Sequence, residues 1–87
     1  MKVKLFKVDG SVEDLTINTF RDIQNAVGGL VEMVDCGYHT LCCDEEGLLK
    51  DKELNVVIKF GFDVDIVGDV VVIDEDQLSR LDEMPYE

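Results

Sequence analysis

Apolar and polar residues alternate from Lys2 to Val8, which places Val3 and Leu5 on one face of a strand. Asp9-Gly10 is a dipeptide that closes two-residue hairpins, and Val12 to Ile17 reads as the return strand with Leu15 and Ile17 inward. At Asn18 the period lengthens. Asn18 or Thr19 can cap a helix, and Thr19 with Asp22 has the spacing of a capping box. Phe20, Ile23 and Val27 form a single apolar stripe at helical spacing. Gly28-Gly29 ends this helix, expected over residues 19–27, because glycine adopts the left-handed conformation beyond a helix at little cost.

Leu30 to Asp35 and Tyr38 to Cys43 read as antiparallel partners around a Cys36-Gly37 turn. Asp44-Glu45-Glu46-Gly47 ends the second, and Leu48-Leu49 can open a further short strand before the polar residues 50–53. Residues 54–62 fit either a buried strand or a short helix, two states that periodicity does not separate. The β-branched Ile66-Val67 and Val70 to Ile73 belong in a sheet, with Gly68 as a candidate bulge. Asp74 can cap a last helix carrying Leu78 and Leu81, which Pro85 stops. The class that follows is α+β: a small antiparallel β-sheet of about five strands with two short helices, opening on an N-terminal β-hairpin and then a helix. Residues 1–87 read as one small acidic domain, since two cores would not fit in so short a chain.

Composition narrows the function. A hydrophobic share of 46% suits a folded chain and is too high for a disordered one. Eight basic against 20 acidic residues give a net charge of −12 and a pI near 4.2. That argues against direct nucleic-acid binding, which draws on Lys and Arg to neutralise phosphates, and against docking on an anionic membrane. No apolar run approaches the roughly 20 residues of a membrane span, and no secretory leader pattern opens the sequence, so a cytoplasmic location is expected. The charge is uneven. Residues 1–43 hold four bases against six acids, net −2, whereas residues 44–87 hold four against fourteen, net −10.

Candidate chemistry is sparse. Cys36, His39, Cys42 and Cys43 superficially offer four zinc ligands, but three cysteines without a secretory leader read as small core residues of a reduced protein. Adjacent Cys42 and Cys43 point to opposite faces of a strand and make a poor mutual disulfide. His39 and Cys42 likewise fall on opposite faces, and His39 and Cys43 stand two pleats apart, too far for a nucleophile–base couple. With no phosphate loop and no nucleophile elbow, the chain reads as a non-enzyme without metal or cofactor. Asp44-Glu45-Glu46-Gly47 lacks calcium-loop spacing and reads as a solvated hairpin turn. Asp63 and Asp65 would share one face of an extended strand, a geometry that can hold magnesium and that an exposed, charge-guarded edge explains as well. Gly28 and Gly29 form a candidate ligand loop, because neither has a Cβ to hold a ligand off the backbone. A helix stop explains both glycines too, and the dipole there disfavours anions.

Several segments resemble a known family when taken together. Ile23 to Glu32 with its Val27-Gly28-Gly29, then Cys43-Asp44-Glu45-Glu46-Gly47-Leu48-Leu49, Asn55, and Asp65-Ile66-Val67-Gly68-Asp69-Val70 follow one another as in the small phage and mobile-element proteins of domain of unknown function 3846. The likeness runs over about residues 2–73. Leu30 stands where that family has an aromatic, and no proline precedes Asn55. The resemblance carries no activity. It implies a setting, a phage or prophage gene acting inside a bacterial host.

Two classes of function are compatible with these features. The first is a non-enzymatic interaction module that binds a host protein through an acidic face, imitating the charge of DNA to occupy a nucleic-acid-binding or defence protein. Asp63, Asp65 and Asp69 with Asp74, Glu75, Asp76, Asp82 and Glu83 are the residues expected to form that stripe. The alternative is an oligomeric module that sequesters a small molecule or nucleotide, with Lys2, Lys4, Lys7 and Arg21 as the only basic group for an anion. The sequence leaves the oligomeric state open.

Overall fold

A computed structural model describes residues 1–87. Strands β1 (Lys2–Phe6) and β2 (Val12–Thr16) form the N-terminal hairpin, and helix α1 (Phe20–Val27) follows. Strands β3 (Val31–Cys36) and β4 (His39–Asp44) form a second hairpin. Helix α2 (Val56–Phe62), strand β5 (Val70–Asp74) and helix α3 (Glu75–Glu83) complete the chain. All five strands pair antiparallel in the order β2-β1-β5-β4-β3, so β5 enters between the two hairpins and joins them.

Strand alternation decides what each face carries. Val3, Leu5, Cys42, Val71 and Ile73 point to one side, where Ile23 and Val27 of α1 and Leu81 of α3 cover them. Leu41, Cys43, Val70 and Val72 point to the other and pack on Ile58 of α2 and on Ile66. Because β5 is covered on both faces, Val70 to Ile73 is an unbroken apolar run rather than an alternating one. Each such side chain contributes about 1.5–3 kcal/mol by leaving water.

The helix boundaries follow local chemistry. Thr19 caps α1 as expected: its hydroxyl accepts from the Asp22 amide, and the Asp22 carboxylate accepts from the Thr19 amide. Gly28 closes the helix at φ +89°, its amide donating to the Gln24 carbonyl. Asp74 and Gln77 form the capping box of α3.

Five expectations need correction. The helices number three, because residues 56–62 fold as α2 despite the run Val56-Val57-Ile58. Leu48 and Leu49 begin no strand; they lie in a turn, 80% and 83% exposed. Val67 makes only an isolated bridge to Leu54. The first hairpin closes with three residues between Lys7 and Ser11, whose backbones bond, and Gly10 takes the left-handed conformation. Asp63 is not in a strand but ends α2 at φ +58°.

Asn55 explains the helix at 56–62. It is fully buried, and its carboxamide oxygen accepts from the Ile58 amide while its Nδ2 donates to the Phe6 carbonyl (2.8 Å) and the Gly68 carbonyl (3.0 Å). One side chain thus starts α2, holds the end of β1 and fixes the loop entering β5. Asn55→Ala removes three hydrogen bonds, leaving the buried Ile58 amide and Gly68 carbonyl without this partner, and is expected to cost about 3 kcal/mol, read as a lower urea midpoint at unchanged slope. Asn55→Asp keeps the acceptor for Ile58 but turns a carboxylate on two carbonyls. It should destabilise by a similar amount; a near-silent Asn55→Asp would show that the two donor bonds contribute little.

Candidate functional site

The eight carboxylates expected to form one stripe are divided by the fold. Asp63 and Asp65 flank the C-terminal end of α2 on one face of the sheet, whereas Asp82 and Glu83 stand on α3, which packs on the other. Asp65 pairs with Lys59 at 2.8 Å. Asp69 accepts from the Val8 amide (3.0 Å) and so holds the first hairpin loop. Asp74 caps α3 and lies 3.4 Å from His39 Nε2, and Asp76 accepts from the Tyr38 hydroxyl at 2.8 Å. Glu75, Asp76, Asp82 and Glu83 all lie on exposed turns of α3. The acidity is therefore a property of several surfaces, densest on α3.

A different carboxylate is the structural centre of the acidic half. Asp44, expected in a solvated turn, is buried with 5% of its surface exposed. Its Oδ2 lies 2.8 Å from both Lys50 Nζ and Lys52 Nζ, and its Oδ1 accepts from the Glu46 amide. The two ammonium groups also donate to the last carbonyls of α1, Lys50 to Gly28 (3.1 Å) and Lys52 to Val27 (2.7 Å). Cations belong at a helix C-terminus, where the dipole is negative and carbonyls lack intrahelical partners. Burial alone would raise the Asp44 carboxyl, but hydrogen bonds from Lys50, Lys52 and the Glu46 amide outweigh it and hold it well below the usual carboxylate range.

The close backbone approach offered by Gly28 and Gly29 is used by these lysines. A Cβ on Gly29 would stand 2.8 Å from Lys50 Nζ and 2.9 Å from Asp44 Oδ1, and one on Gly28 would stand 3.1 Å from Lys52 Nζ. The Lys52 stem crosses Gly68 so closely that a Cβ there would meet Cδ at 2.9 Å. The sequence reading missed Lys50 and Lys52. Their signal was the i, i+2 spacing just after an acidic turn, in a segment otherwise poor in bases.

The cysteine cluster does not converge. Cys42 points into the α1/α3 layer, while Cys36, His39 and Cys43 lie on the α2 side. Burial pushes the Cys42 thiol up to about 12 and the Cys43 thiol up to about 11, so both are protonated at neutral pH. No group of three His, Cys, Asp or Glu side chains is placed to hold a metal ion.

The surface carries five depressions. One lies over Gly28 and Gly29 with Gln24 and Glu46, and one over Lys50, Lys52 and Gly68. The other three lie on the two faces of the sheet. On the α2 face, Lys2, Lys4, Phe6, His39 and Phe62 border an open hollow of about 350 Å³ together with Asp14 and Asp74. There Lys4 pairs with Asp14, and the His39 ring meets Phe62 edge-on. A second, of about 190 Å³, adjoins β3 on the same face, lined by Val34, Leu48 and Val64 with Glu32, Glu45 and Asp65. A third, of about 420 Å³, adjoins β3 on the opposite face, lined by Phe20, Met33, Leu78, Met84 and Tyr86 with Asp82. No helix is long and apolar enough to cross a membrane.

Comparison with known families places the chain. The family described as domain of unknown function (DUF3846) matches residues 1–84, and the chain belongs to it. No curated protein and no solved structure matches. The segments that carry the likeness, Val27-Gly28-Gly29, Asp44 to Gly47, Asn55 and the loop at Gly68, meet in space around Asp44 and Asn55. Each is accounted for by the chain's own contacts.

Because the folded Asp44 carboxyl is held below its unfolded value, its contribution is complete above the ordinary carboxylate range near pH 4 and is lost as pH falls through that range toward the folded value. Asp44→Asn is expected to cost about 2 kcal/mol at neutral pH, a figure moderated because both lysines are partly solvated. Its stability should also fall less steeply than the parent's between neutral pH and about pH 3. Urea unfolding at both pH values measures this, and parallel slopes would assign the acid sensitivity to other groups.

Proposed function

We propose that this chain is a non-enzymatic interaction module that binds a basic protein through its acidic half. In the setting its resemblance implies, it is an accessory protein of phage or mobile-element origin acting in the bacterial cytoplasm on a host nucleic-acid-binding or defence protein. One observation carries the reading: apolar side chains reach the surface among carboxylates that no base neutralises. Asp82 borders a depression whose other lining residues are all apolar, and Glu75, Asp76 and Glu83 continue the charge along α3. Of the four bases in residues 44–87, Lys50 and Lys52 are committed to buried Asp44 and Lys59 to Asp65, while Arg80, exposed on α3, makes no ion pair and stands against four carboxylates of that helix. Attraction of this kind steers a positive surface into contact and weakens as salt screens it over about 8 Å at physiological ionic strength. The non-enzymatic part is supported by the two buried, protonated thiols and by carboxylates spread over open surface rather than paired across a cleft.

The hollow bordered by Lys2, Lys4, Phe6, His39 and Phe62 favours a second reading, binding of a small aromatic anion such as a nucleotide. Lys4 and His39 each already face a carboxylate there, which leaves Lys2 as the free cation and ranks this reading second.

An immobilised chain exposed to bacterial lysate at low salt is expected to retain basic proteins that elute sharply as salt rises. The double substitution Asp82→Lys, Glu83→Lys should reduce retention about tenfold, the equivalent of 1.4 kcal/mol. Retention indifferent to both salt and charge reversal would overturn the reading. Thermal stabilisation by nucleoside phosphates, abolished by Lys2→Ala, would favour the second.

A further inference from the structure

We propose that the free edge of β3 is the docking line, and that it accepts an extended basic segment of the partner as a sixth strand. This rests on the protein-binding reading above and gives it a mechanism. β3 is the last strand of the sheet, hydrogen-bonded on one side only, to β4. Its register, Cys36 opposite His39 and Glu32 opposite Cys43, with the Glu45 amide donating to the Leu30 carbonyl, alternates inward and outward backbone groups. The amides and carbonyls of Val31, Met33 and Asp35 therefore face away from β4, and no other segment bonds to them.

Depressions flank this edge on both faces. Met33, 43% exposed, opens onto the one bordered by Phe20, Leu78 and Tyr86. Val34 opens onto the one bordered by Leu48 and Val64. A strand laid about 4.8 Å from β3 would send successive side chains alternately to the two sides, the arrangement by which strand addition combines backbone affinity with side-chain selectivity.

Charge selects the occupant. No basic side chain lines either depression. The unpaired carboxylates Glu32 and Glu45 rim one, beside an Asp65 that Lys59 already pairs, and Asp82 rims the other, where Arg21 stands over the Tyr86 ring. Asp35 adds a carboxylate on the strand itself. A second copy of this chain would bring Glu32 and Asp35 against their own images with −12 on each molecule, so self-pairing is opposed. The other sheet edge, β2, is unlike this one: its Asp14 and Glu13 are paired with Lys4 and Lys7. The occupant is thus a Lys- or Arg-bearing extended segment with apolar residues between its charges.

The probe is a capped octapeptide of Lys, Val and Thr whose lysines flank an apolar centre, with its Glu-for-Lys counterpart as control. Added to isotope-labelled protein at low salt, the basic peptide should slow amide exchange at Val31, Met33 and Asp35, and the acidic one should not. Met33→Pro removes an outward donor, a substitution that edge strands tolerate, and should weaken binding at least about tenfold. Met33→Lys, which leaves every backbone bond possible, supplies a second test by placing a cation in the docking line, and should weaken it similarly. Basic peptide bound with shifts on α3 alone, unaffected by either Met33 variant, would overturn the edge while leaving the acidic-surface reading intact. No peptide binding would also overturn the edge, and salt-dependent retention of basic proteins on the column would then still decide the broader reading independently.

Discussion

The fold depends on a buried carboxylate placed at the wrong end of a helix. Asp44 ends β4 beside the C-terminus of α1, where carbonyls already concentrate negative charge. Without cations that junction is repulsive. Lys50 and Lys52 resolve it by bonding the Asp44 carboxylate and the α1 carbonyls together, and this requires the chain after β4 to turn back on itself. The return explains the glycines. Gly28 and Gly29 let the ammonium groups reach the helix end, and Gly68 lets the Lys52 stem pass beneath the loop that enters β5. A carboxylate, two lysines and three glycines thus bind α1, β4 and the β5 approach into one unit. Removing the lysines would leave the Asp44 carboxylate as a buried unpaired charge, which is the expensive arrangement.

Local signals in the sequence were read correctly where the chemistry is local. The Thr19–Asp22 box, the Gly28 stop, the Asp74 cap and the opposite faces of Cys42 and Cys43 each involve residues within one turn or one pleat. What failed or stayed open depends on distant partners. Val56-Val57-Ile58 has a strand-like composition, yet Asn55 starts a helix there because Phe6 and Gly68 occupy its donors from far along the chain. Leu48-Leu49 looked like the start of a strand, but the residues just after them turn back to Asp44 and leave both leucines in solvent. The face on which each acid would fall was equally illegible, since it follows from α2 packing opposite α1 and α3, a choice no periodicity encodes. The family segments were legible as a pattern and not as a cause; only their convergence shows that they build the junction.

The same junction shapes the surface. Two of the scarce bases in the second half are drawn inward to neutralise one buried acid, so the solvent-facing part of that half is more acidic than its composition suggests. Exposed apolar side chains stand in this field: Leu48, Leu49 and, at 88% exposure, Phe60 on the outer side of α2. Such groups would ordinarily favour self-association, because they gain by leaving water whatever they meet. Charge makes the choice that hydrophobicity cannot. Two copies approaching with −12 each lose through repulsion what apolar contact returns, whereas a basic partner gains from both terms. On the binding reading proposed above, acidity on this scale acts as discrimination, opposing contact of a sticky surface and an open sheet edge with its own copies while favouring a positively charged chain.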